Sequence, residues 1–204
     1  TVQKLLRVHG QPWPYMRAQV KRFIQECSTC QKMSPLDAPI KIKRFTVGAY
    51  QPMERLSIDT MGPFAQADAD GHMYAVGIID NFTRFMTVYP TKSTSAEEAA
   101  QALLNHCSLF GTPSELCSDR GSQYVNSVIA EFLELLGTEE VTTVAYSKEE
   151  NSIVERANKE VNRWLRDMLY DTKKGVSQWS KVLPFAVRLH NASIIESHGT
   201  SPMK

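Results

Sequence analysis

The stretch ERLSIDTMG, residues 54–62, decides the fold because it reads as a short strand with an acid near its middle. Apolar Leu56 and Ile58 alternate with polar Ser57 and Asp59. Successive side chains of a strand point to opposite faces, so this alternation is typical of a strand with one buried face. The pattern therefore predicts that Asp59 is displayed on the face opposite Leu56 and Ile58.

Strands and helices follow this stretch in a recognisable order. Apolar, β-branched segments predict four more strands, of which the first two form a hairpin: HMYAVGIID (72–80), RFMTVYPT (84–91), ELCSD (115–119) and VTTVAY (141–146). Apolar residues at helical spacing predict helices in SAEEAAQALLNHCSLFG (95–111), in SVIAEFLELLG (127–137), over about 152–171, and in a last segment from Trp179 to Val187. Ser95 is a predicted N-cap, and Gly111 and Gly137 are predicted helix ends. The order predicts an α/β fold, with helices on the faces of a mixed sheet.

The first 50 residues differ in character from the rest of the 204-residue chain. Residues 13–33 carry a helical pattern that ends in a Cys-x-x-Cys pair, and residues 34–50 contain prolines and little periodicity, which predicts an extended linker. Basic residues outnumber acids in 1–50, although the net charge of the whole chain is only +1. This surplus favours a polyanionic partner, or else a solubilising surface.

Composition excludes some classes of protein. No apolar run approaches the roughly 18 residues that a membrane span requires, so no membrane partner is expected. Four cysteines in a chain of this length do not make a secreted disulfide framework, which favours a reducing compartment. The ends of the sequence look like cuts through a longer polypeptide.

Three acids on separate predicted elements are candidates for a metal site. Asp59 lies on the first strand, Asp119 at the end of the fourth, and Glu155 early in the long helix, with the 35 residues 120–154 between the last two. Carboxylates from separate elements supply the hard oxygen ligands that a pair of Mg²⁺ ions needs for phosphoryl transfer. Asp80 also ends a strand, but we interpret it as a hairpin-turn residue because Asp favours turns.

The blocks LSIDTMGPF (56–64), SDRGSQY (118–124) and ENSIVERANKEV (150–161) resemble the three signature blocks of retroviral-type integrases, particularly those of gypsy-class LTR retrotransposons. WPYMRAQVKRFIQECSTCQK (13–32) is similar to the tail of that family's zinc domain, and HNASIIESHGTSP (190–202) to the end of its core. The resemblance covers nearly the whole chain. It implies an RNase H-like core with a five-stranded mixed sheet and flanking helices.

The resemblance also implies a function. By the motif match, Asp59, Asp119 and Glu155 are the catalytic residues and the ligands of two Mg²⁺ (or Mn²⁺) ions per active site. The implied enzyme is a polynucleotidyl transferase with associated endonuclease activity, which processes the 3′ ends of retroelement DNA and transfers them into target DNA. Family members often have glycine where this chain has Ser152, which favours a stiffer loop or a helix that begins there.

The domain organisation follows from the same resemblance. Residues 1–33 are expected to be the remnant of an N-terminal domain with two histidine and two cysteine zinc ligands, 34–50 the linker and 51–204 the catalytic core, with the C-terminal domain absent. Cys27 and Cys30 would be half of the Zn²⁺ site of the full-length protein, because the two histidines are expected to precede Thr1. The other two cysteines, Cys107 and Cys117, are interpreted as buried small hydrophobes.

DNA contacts are predicted beside the third acid. Lys159 lies one helical turn after Glu155, Asn158 nearly so, and Arg163 further along the helix. For Lys159 the alternative is a surface ion pair with Glu155.

The implied partners are retroelement DNA ends, target DNA, further copies of the chain in a dimer or tetramer, and a chromatin or host targeting factor. The implied location is the nucleus, with a cytoplasmic particle stage. Trp179, Val182 and Val187 are interpreted as either a dimer surface or core. Two other functions stay open: a catalytically dormant, domesticated protein that binds DNA or a partner, and an RNase H-like nuclease that cuts without joining.

Overall fold

The computed structural model describes residues 14–27, 49–119, 124, 126–142, 152–171, 175–196 and 199–204. Five strands lie within these residues: β1 (Arg55–Met61), β2 (Tyr74–Asp80), β3 (Met86–Thr91), β4 (Glu115–Ser118) and β5 (Glu139–Thr142). The α-helices are α1 (Met16–Glu26), α2 (Ala96–Phe110), α3 (Ser127–Leu136), α4 (Ser152–Asp171) and α5 (Trp179–Ala192). A short 3-10 helix, Val176–Gln178, leads into α5.

The five strands form one mixed sheet with β1 at its centre, in the order β3-β2-β1-β4-β5. β1 pairs antiparallel with β2, and β2 antiparallel with β3, as the predicted hairpin requires. β4 pairs parallel with β1, and β5 parallel with β4. The parallel pairs are connected through α2 and α3, because parallel strands need a crossover. The predicted α/β architecture is confirmed.

Each face of the sheet buries a separate apolar core. On one face, Leu56 and Ile58 of β1 pack with residues of α2 and α3. On the other, Met61 of β1 packs with residues of α4 and α5. This arrangement follows from the alternation in β1, because every second side chain points to the same face. Asp59 therefore lies on the face that α4 covers.

Helix ends are capped by local sequence signals. Ser95 accepts a hydrogen bond from the backbone N–H of Glu98 at the start of α2, and Gly111 ends that helix with φ 92°. At the start of α3, Asn126 accepts from the N–H of Val128, while Gly137 ends the helix in the left-handed conformation. Positive φ suits glycine, which has no Cβ to clash with the backbone. These caps confirm the predictions made for Ser95, Gly111 and Gly137.

Two predictions about the elements require comment. The fifth strand was predicted to begin at Val141, but β5 begins at Glu139, because the backbone N–H of Glu139 bonds to the carbonyl of Ser114 and extends the pairing to β4. The end of the predicted strand, 143–146, lies outside the described residues. So do most of the predicted linker and Cys30.

For Trp179, Val182 and Val187, the core alternative is confirmed and the dimer-surface alternative is wrong. Trp179 and Val182 are buried, and Val187 packs against the same cluster. Trp179 stacks on Phe64 with ring centroids 4.0 Å apart, and its Nε1 donates to the carbonyl of Gln66 at 3.2 Å. Trp179 therefore attaches this helix to the segment that follows β1.

Within the described ranges, no helix combines the length and apolar character that a membrane crossing requires.

Candidate active site

Asp59 and Asp119 come from neighbouring parallel strands. The parallel register pairs Ser57 of β1 with Cys117 of β4. Asp59 lies two residues after Ser57, within β1, and Asp119 lies two residues after Cys117, directly after β4. Because side chains alternate along strands, both acids lie on the same face of the sheet. The structure therefore gives these two predicted residues matching positions at the carboxyl ends of the two strands.

Helix α4 brings the third acid to the same face. The side-chain amide of Asn158 donates to Oδ2 of Asp59 at 2.8 Å, which attaches the first turns of α4 to β1. Glu155 lies three residues before Asn158, one turn earlier on the same side of the helix. α4 begins at Ser152, in agreement with the interpretation that serine at this position starts a helix. The three acids thus converge from a strand, a strand end and a helix start.

The electrostatics of Asp59 reflect this convergence. Burial raises the pKa of Asp59 to about 6 from an ordinary value of 3.8, and hydrogen bonds from Asn158 and the Thr60 N–H oppose the rise. The negative charges of Asp119 and Glu155 add to the rise in pKa. Each of the three negative charges disfavours ionisation of the other carboxyl groups. A bound cation would offset the negative charge of Asp59, Asp119 and Glu155.

Asn158 is a residue whose role the sequence did not reveal. It was predicted to contact DNA, but its side chain is only 5% exposed and is bonded to Asp59. This buried position does not present the amide to a DNA end. A residue three positions after a predicted metal ligand on a helix shares its face, and this spacing is the signal that could have indicated an inward orientation.

Gly77 makes room for Asn158. In the antiparallel register of β1 and β2, Gly77 is the direct partner of Asp59. A Cβ placed on Gly77 would lie 2.6 Å from Oδ1 of Asn158 and 2.9 Å from Cε of Met86. Distances below 3.0 Å require a neighbour to move, so a glycine opposite Asp59 is what allows the amide to reach the carboxylate.

Asp80 has the structural role that was predicted for it. Its carboxylate accepts hydrogen bonds from the backbone N–H groups of Phe82 and Thr83, both at 3.2 Å, and from the Thr83 hydroxyl at 2.6 Å. These bonds close the turn between β2 and β3. In the register, Asp80 pairs with Leu56 at the start of β1, three residues from Asp59.

The other predicted DNA contacts lie on α4. The Lys159 side chain is 80% exposed, and its Nζ lies 3.8 Å from Oε2 of Glu155. The ion pair considered as the alternative is thus present, and such exposed pairs contribute only a few tenths of a kcal/mol. Arg163 is half-buried one turn further along. DNA contact by either residue stays a prediction.

A second group of possible metal ligands was not anticipated. Within the described residues, Asp68, Asp70 and His72 have ligand atoms that all lie within 4.8 Å of one another, and the three predicted catalytic acids are not drawn together to that distance. Asp68 accepts from the N–H groups of Asp70 and His72 and lies 2.8 Å from Nδ1 of His72. These bonds lie within the loop before β2, which gives Asp68 a structural role there.

The predicted zinc half-site is only partly described. Cys27 is partly buried and follows the last residue of α1. Cys30 lies outside the described residues. The zinc assignment stays a prediction.

Comparison with known proteins agrees with the architecture. Residues 49–148 match the family model described as the integrase core domain. The Pro-Pol polyprotein of feline foamy virus is 23% identical over 188 residues, which is 92% of this chain and 16% of that protein. The Pol polyprotein from transposon 412 of Drosophila melanogaster is 25% identical over 191 residues, 93% of this chain and 15% of that protein.

In a third relative, the matched region is a larger share of the protein. Gypsy retrotransposon integrase-like protein 1 of Bos taurus is 24% identical over 192 residues, 93% of this chain and 37% of that protein. The chain therefore spans between 15% and 37% of the length of these three curated relatives.

Solved structures share the fold. The HTLV-2 integrase catalytic core domain in complex with magnesium matches with a TM-score of 0.63 and 18% identity, over 77% of this chain and 97% of that one. A chain of the simian T-cell lymphotropic virus intasome matches with a TM-score of 0.68 and 18% identity, over 97% of this chain and 68% of that one. Residues 49–148 therefore match the integrase core domain, and the chain has the RNase H-like fold and is similar along most of its length to retroviral-type integrases of the gypsy class.

Proposed function

We propose that the chain is the catalytic part of an integrase that processes the 3′ ends of retroelement DNA and transfers them into target DNA. The observation that carries the proposal is the convergence of Asp59, Asp119 and Glu155 from three elements on one face of the sheet. The names of the matched relatives and structures support it, since they include Pol polyproteins, integrase-like proteins and an intasome.

The donor set fits divalent cations such as Mg²⁺ or Mn²⁺. Three carboxylates offer hard oxygen ligands, and their mutual repulsion is what a cation relieves. Each Asp59 oxygen accepts one hydrogen bond, from the Thr60 N–H or from Asn158, and keeps a lone pair for a metal. When bound, the metals lower the pKa of the attacking water or hydroxyl and offset charge on the leaving oxygen.

The residues around the carboxylates hold them and the DNA in place. Asn158 and the Thr60 N–H fix the orientation of Asp59, so that its free lone pairs keep a constant direction. Lys159 places an exposed ammonium one turn after Glu155, where it neutralises a phosphate of the DNA end. In-line attack at phosphorus then needs no covalent link between protein and DNA, because positioning and charge stabilisation supply the catalysis.

The remaining partners are proposed from similarity to the matched proteins. Joining two DNA ends to one target needs two active sites, which favours a dimer or tetramer, and matched integrase cores include structures described as dimeric and trimeric forms. Zinc bound by Cys27 and Cys30 in the full-length N-terminal domain, a chromatin or host targeting factor, and a nuclear location belong to the same proposal.

A joining assay tests the function. The chain is incubated with Mg²⁺ or Mn²⁺, a supercoiled target plasmid, and a panel of labelled duplexes that carry either blunt or recessed 3′ ends. Covalent transfer of label to the plasmid, abolished in Glu155→Gln, is the expected result. Cutting without transfer would replace the proposal with a nuclease, and DNA binding without either reaction would replace it with a dormant, domesticated protein.

A further inference from the structure

A groove of about 850 Å³ lies between α4, the segment that follows β1 and the start of α5. Its apolar lining includes Phe64, Leu165 and Leu169. Leu165 is buried, and Phe64 and Leu169 are partly buried, so these side chains form an apolar floor. A concave, largely apolar space of this size is typical of a ligand site.

The groove is continuous with the candidate active site along α4. Lys159 lines its near end, one turn after Glu155, and the charged groups of these two side chains are 3.8 Å apart. Arg166 and Tyr170 line it further on, and their distances from Glu155 in the chain are close to whole numbers of helical turns. From Lys159 to Tyr170 the helix rises about 16 Å. A DNA strand advances about 3.4 Å per nucleotide in B-form, so this wall is long enough for several nucleotides.

The charges of the groove favour an anionic partner. Among the described residues that line it, the charged ones are Lys159 and Arg166, and both are exposed. Asp167, the neighbour of Arg166, does not line the groove; burial raises its pKa, and the charges of adjacent arginines, Arg166 among them, oppose the rise. Glu155 faces Lys159 from the active-site end. The groove thus combines an apolar floor with two exposed cations.

Aromatic rings on two walls suit the bases of a nucleic acid. Phe64 stacks on Trp179 with ring centroids 4.0 Å apart, which holds its ring in place on the wall that follows β1. Tyr170, on the α4 wall, is 52% exposed. Surfaces that bind single-stranded nucleic acid combine aromatic side chains, on which bases stack, with cations that follow the backbone. The bases of a duplex are already stacked on one another, so this groove suits unpaired nucleotides.

We propose that this groove binds the unpaired nucleotides at the end of the DNA substrate. The proposal rests on the proposed function, because it takes the DNA of that reaction as the ligand. Lys159 and Arg166 contact phosphates, Tyr170 stacks on a base, and the apolar floor covers the other bases. A peptide with acidic and apolar side chains has similar chemistry, but the continuity of the groove with Glu155 favours DNA.

DNA binding without catalysis tests the site. Fluorescence anisotropy in EDTA, over a series of salt concentrations, compares three labelled duplexes with the same paired sequence. One is blunt, one has recessed 3′ ends with a 5′ overhang, and one carries the same overhang built from abasic nucleotides. The variants are Arg166→Gln, Tyr170→Leu and Tyr170→Phe. The matched controls are Arg188→Gln, an exposed arginine on α5, and Tyr50→Leu, in which the replaced tyrosine is 84% exposed.

The expected results separate stacking from phosphate contact. Wild type should bind the overhang duplex more tightly than the blunt one. Tyr170→Leu should weaken binding of the normal overhang about tenfold and leave the abasic overhang unaffected, while Tyr170→Phe, which keeps the ring, should bind as wild type. Arg166→Gln should lose about one unit of log–log salt slope with both overhangs, because the abasic overhang keeps its phosphates. The two control variants should bind as wild type.

Other results would overturn the site. Equal affinity of wild type for blunt and overhang duplexes, or equal losses by Tyr170→Leu on normal and abasic overhangs, would exclude base stacking in the groove. A peptide rich in glutamate and leucine that binds wild type but not Arg166→Gln, at unchanged DNA binding, would assign the groove to a protein partner.

The two proposals fail in different ways. Because binding is measured without metal, absence of joining by a wild-type protein that prefers overhangs contradicts only the proposed function. Joining by wild type, together with variants of Arg166 and Tyr170 that bind every duplex normally, contradicts only this site.

Discussion

The side-chain amide of Asn158 on α4 donates a 2.8 Å hydrogen bond to the carboxylate of Asp59 on β1. This bond joins the helix that carries Glu155 to the central strand of the sheet, directly at the candidate metal site. Gly77, the antiparallel partner of Asp59, leaves the space that the amide occupies. Asn158 on α4 and Gly77 on β2 thus determine how the carboxylate of Asp59 on β1 is oriented.

Replacing Asn158 should impair metal binding more than folding. Asn158→Ala removes a hydrogen bond that lowers the pKa of Asp59, so the carboxylate should bind protons more tightly and Mg²⁺ more weakly. We expect joining to fall by roughly 10- to 100-fold, as for loss of residues that orient metal ligands, with partial recovery at higher Mg²⁺. Joining rates over a Mg²⁺ titration measure this, and Asn162→Ala, one turn further along α4, is the control. Equal Mg²⁺ dependence in wild type and Asn158→Ala would contradict the orienting role.

A side chain at Gly77 should act through Asn158. Gly77→Ala places a Cβ 2.6 Å from the Asn158 amide oxygen, so the amide has to move away from Asp59. Joining should decrease in the wild-type background and change little further in the Asn158→Ala background, because the two changes disrupt the same contact. The contact of the new Cβ with Met86 should lower the melting temperature in both backgrounds alike. Fully additive losses of activity would show that Gly77 acts independently of Asn158.

Neutralising the acids should abolish activity without unfolding the protein. Asp59→Asn, Asp119→Asn and Glu155→Gln each remove a charge, and all three should lack joining in Mg²⁺ and in Mn²⁺. Burial and like charges raise the folded pKa of Asp59 to about 6, so ionised Asp59 lowers the stability of the metal-free protein above that pH. Asp59→Asn should therefore melt at the same or a higher temperature in EDTA, as measured by calorimetry.

Asp80→Asn is the matched control for these three variants. It replaces one acceptor oxygen of the β2–β3 turn with an N–H donor, so its melting temperature should fall while joining persists at a permissive temperature. Loss of joining in folded Asp80→Asn, or near wild-type joining in Glu155→Gln, would refute the assignment of the three acids.

Lys159→Ala should weaken DNA binding with little effect on stability. The side chain is 80% exposed, and its 3.8 Å pair with Glu155 is of the kind that contributes only a few tenths of a kcal/mol. If the ammonium contacts one phosphate, the log–log salt slope of DNA binding should lose about one unit. Lys181→Ala, an exposed lysine on α5, is the control. An unchanged slope would leave only the ion pair with Glu155 as the role of this residue.

His106 should make the fold sensitive to acid. Burial lowers the pKa of this α2 residue to about 4, with Asp80 opposing the shift, and its Nε2 lacks a partner within the described residues. A depressed histidine pKa means that the unfolded chain binds more protons between pH 6.5 and 4, so stability is full above pH 6.5 and falls as pH drops towards 4. The loss amounts to about 3 kcal/mol at most.

Urea unfolding at several pH values measures this contribution. His106→Gln, which lacks the ionisable ring, should show a smaller loss of stability between pH 7 and 4.5 than wild type. Asp59 titrates in the opposite sense, so Asp59→Asn should steepen the same loss. Equal pH profiles for wild type and His106→Gln would show that the buried ring does not contribute to acid sensitivity.

Local sequence sufficed for the strands and helices of the core. Alternation in β1 predicted both the strand and the face of Asp59, because a period of two depends only on backbone geometry. Ser95 and Gly111 predicted the ends of α2 for the same reason, since a cap uses atoms within four residues. Asp80 was separated from the three candidate acids by the turn preference of aspartate, and the bonds to Phe82 and Thr83 confirm its role in the turn.

Tertiary structure alone decided which side chains support the acids. Asn158 and Asp59 are 99 positions apart in the chain, and Gly77 meets them through the register of two strands that no local pattern specifies. The same holds for Trp179, whose helical spacing fitted both a dimer surface and a core until its stacking on Phe64 was known. Periodicity identifies an apolar face, but what covers that face depends on contacts between distant parts of the chain, and these exist only once the chain has folded.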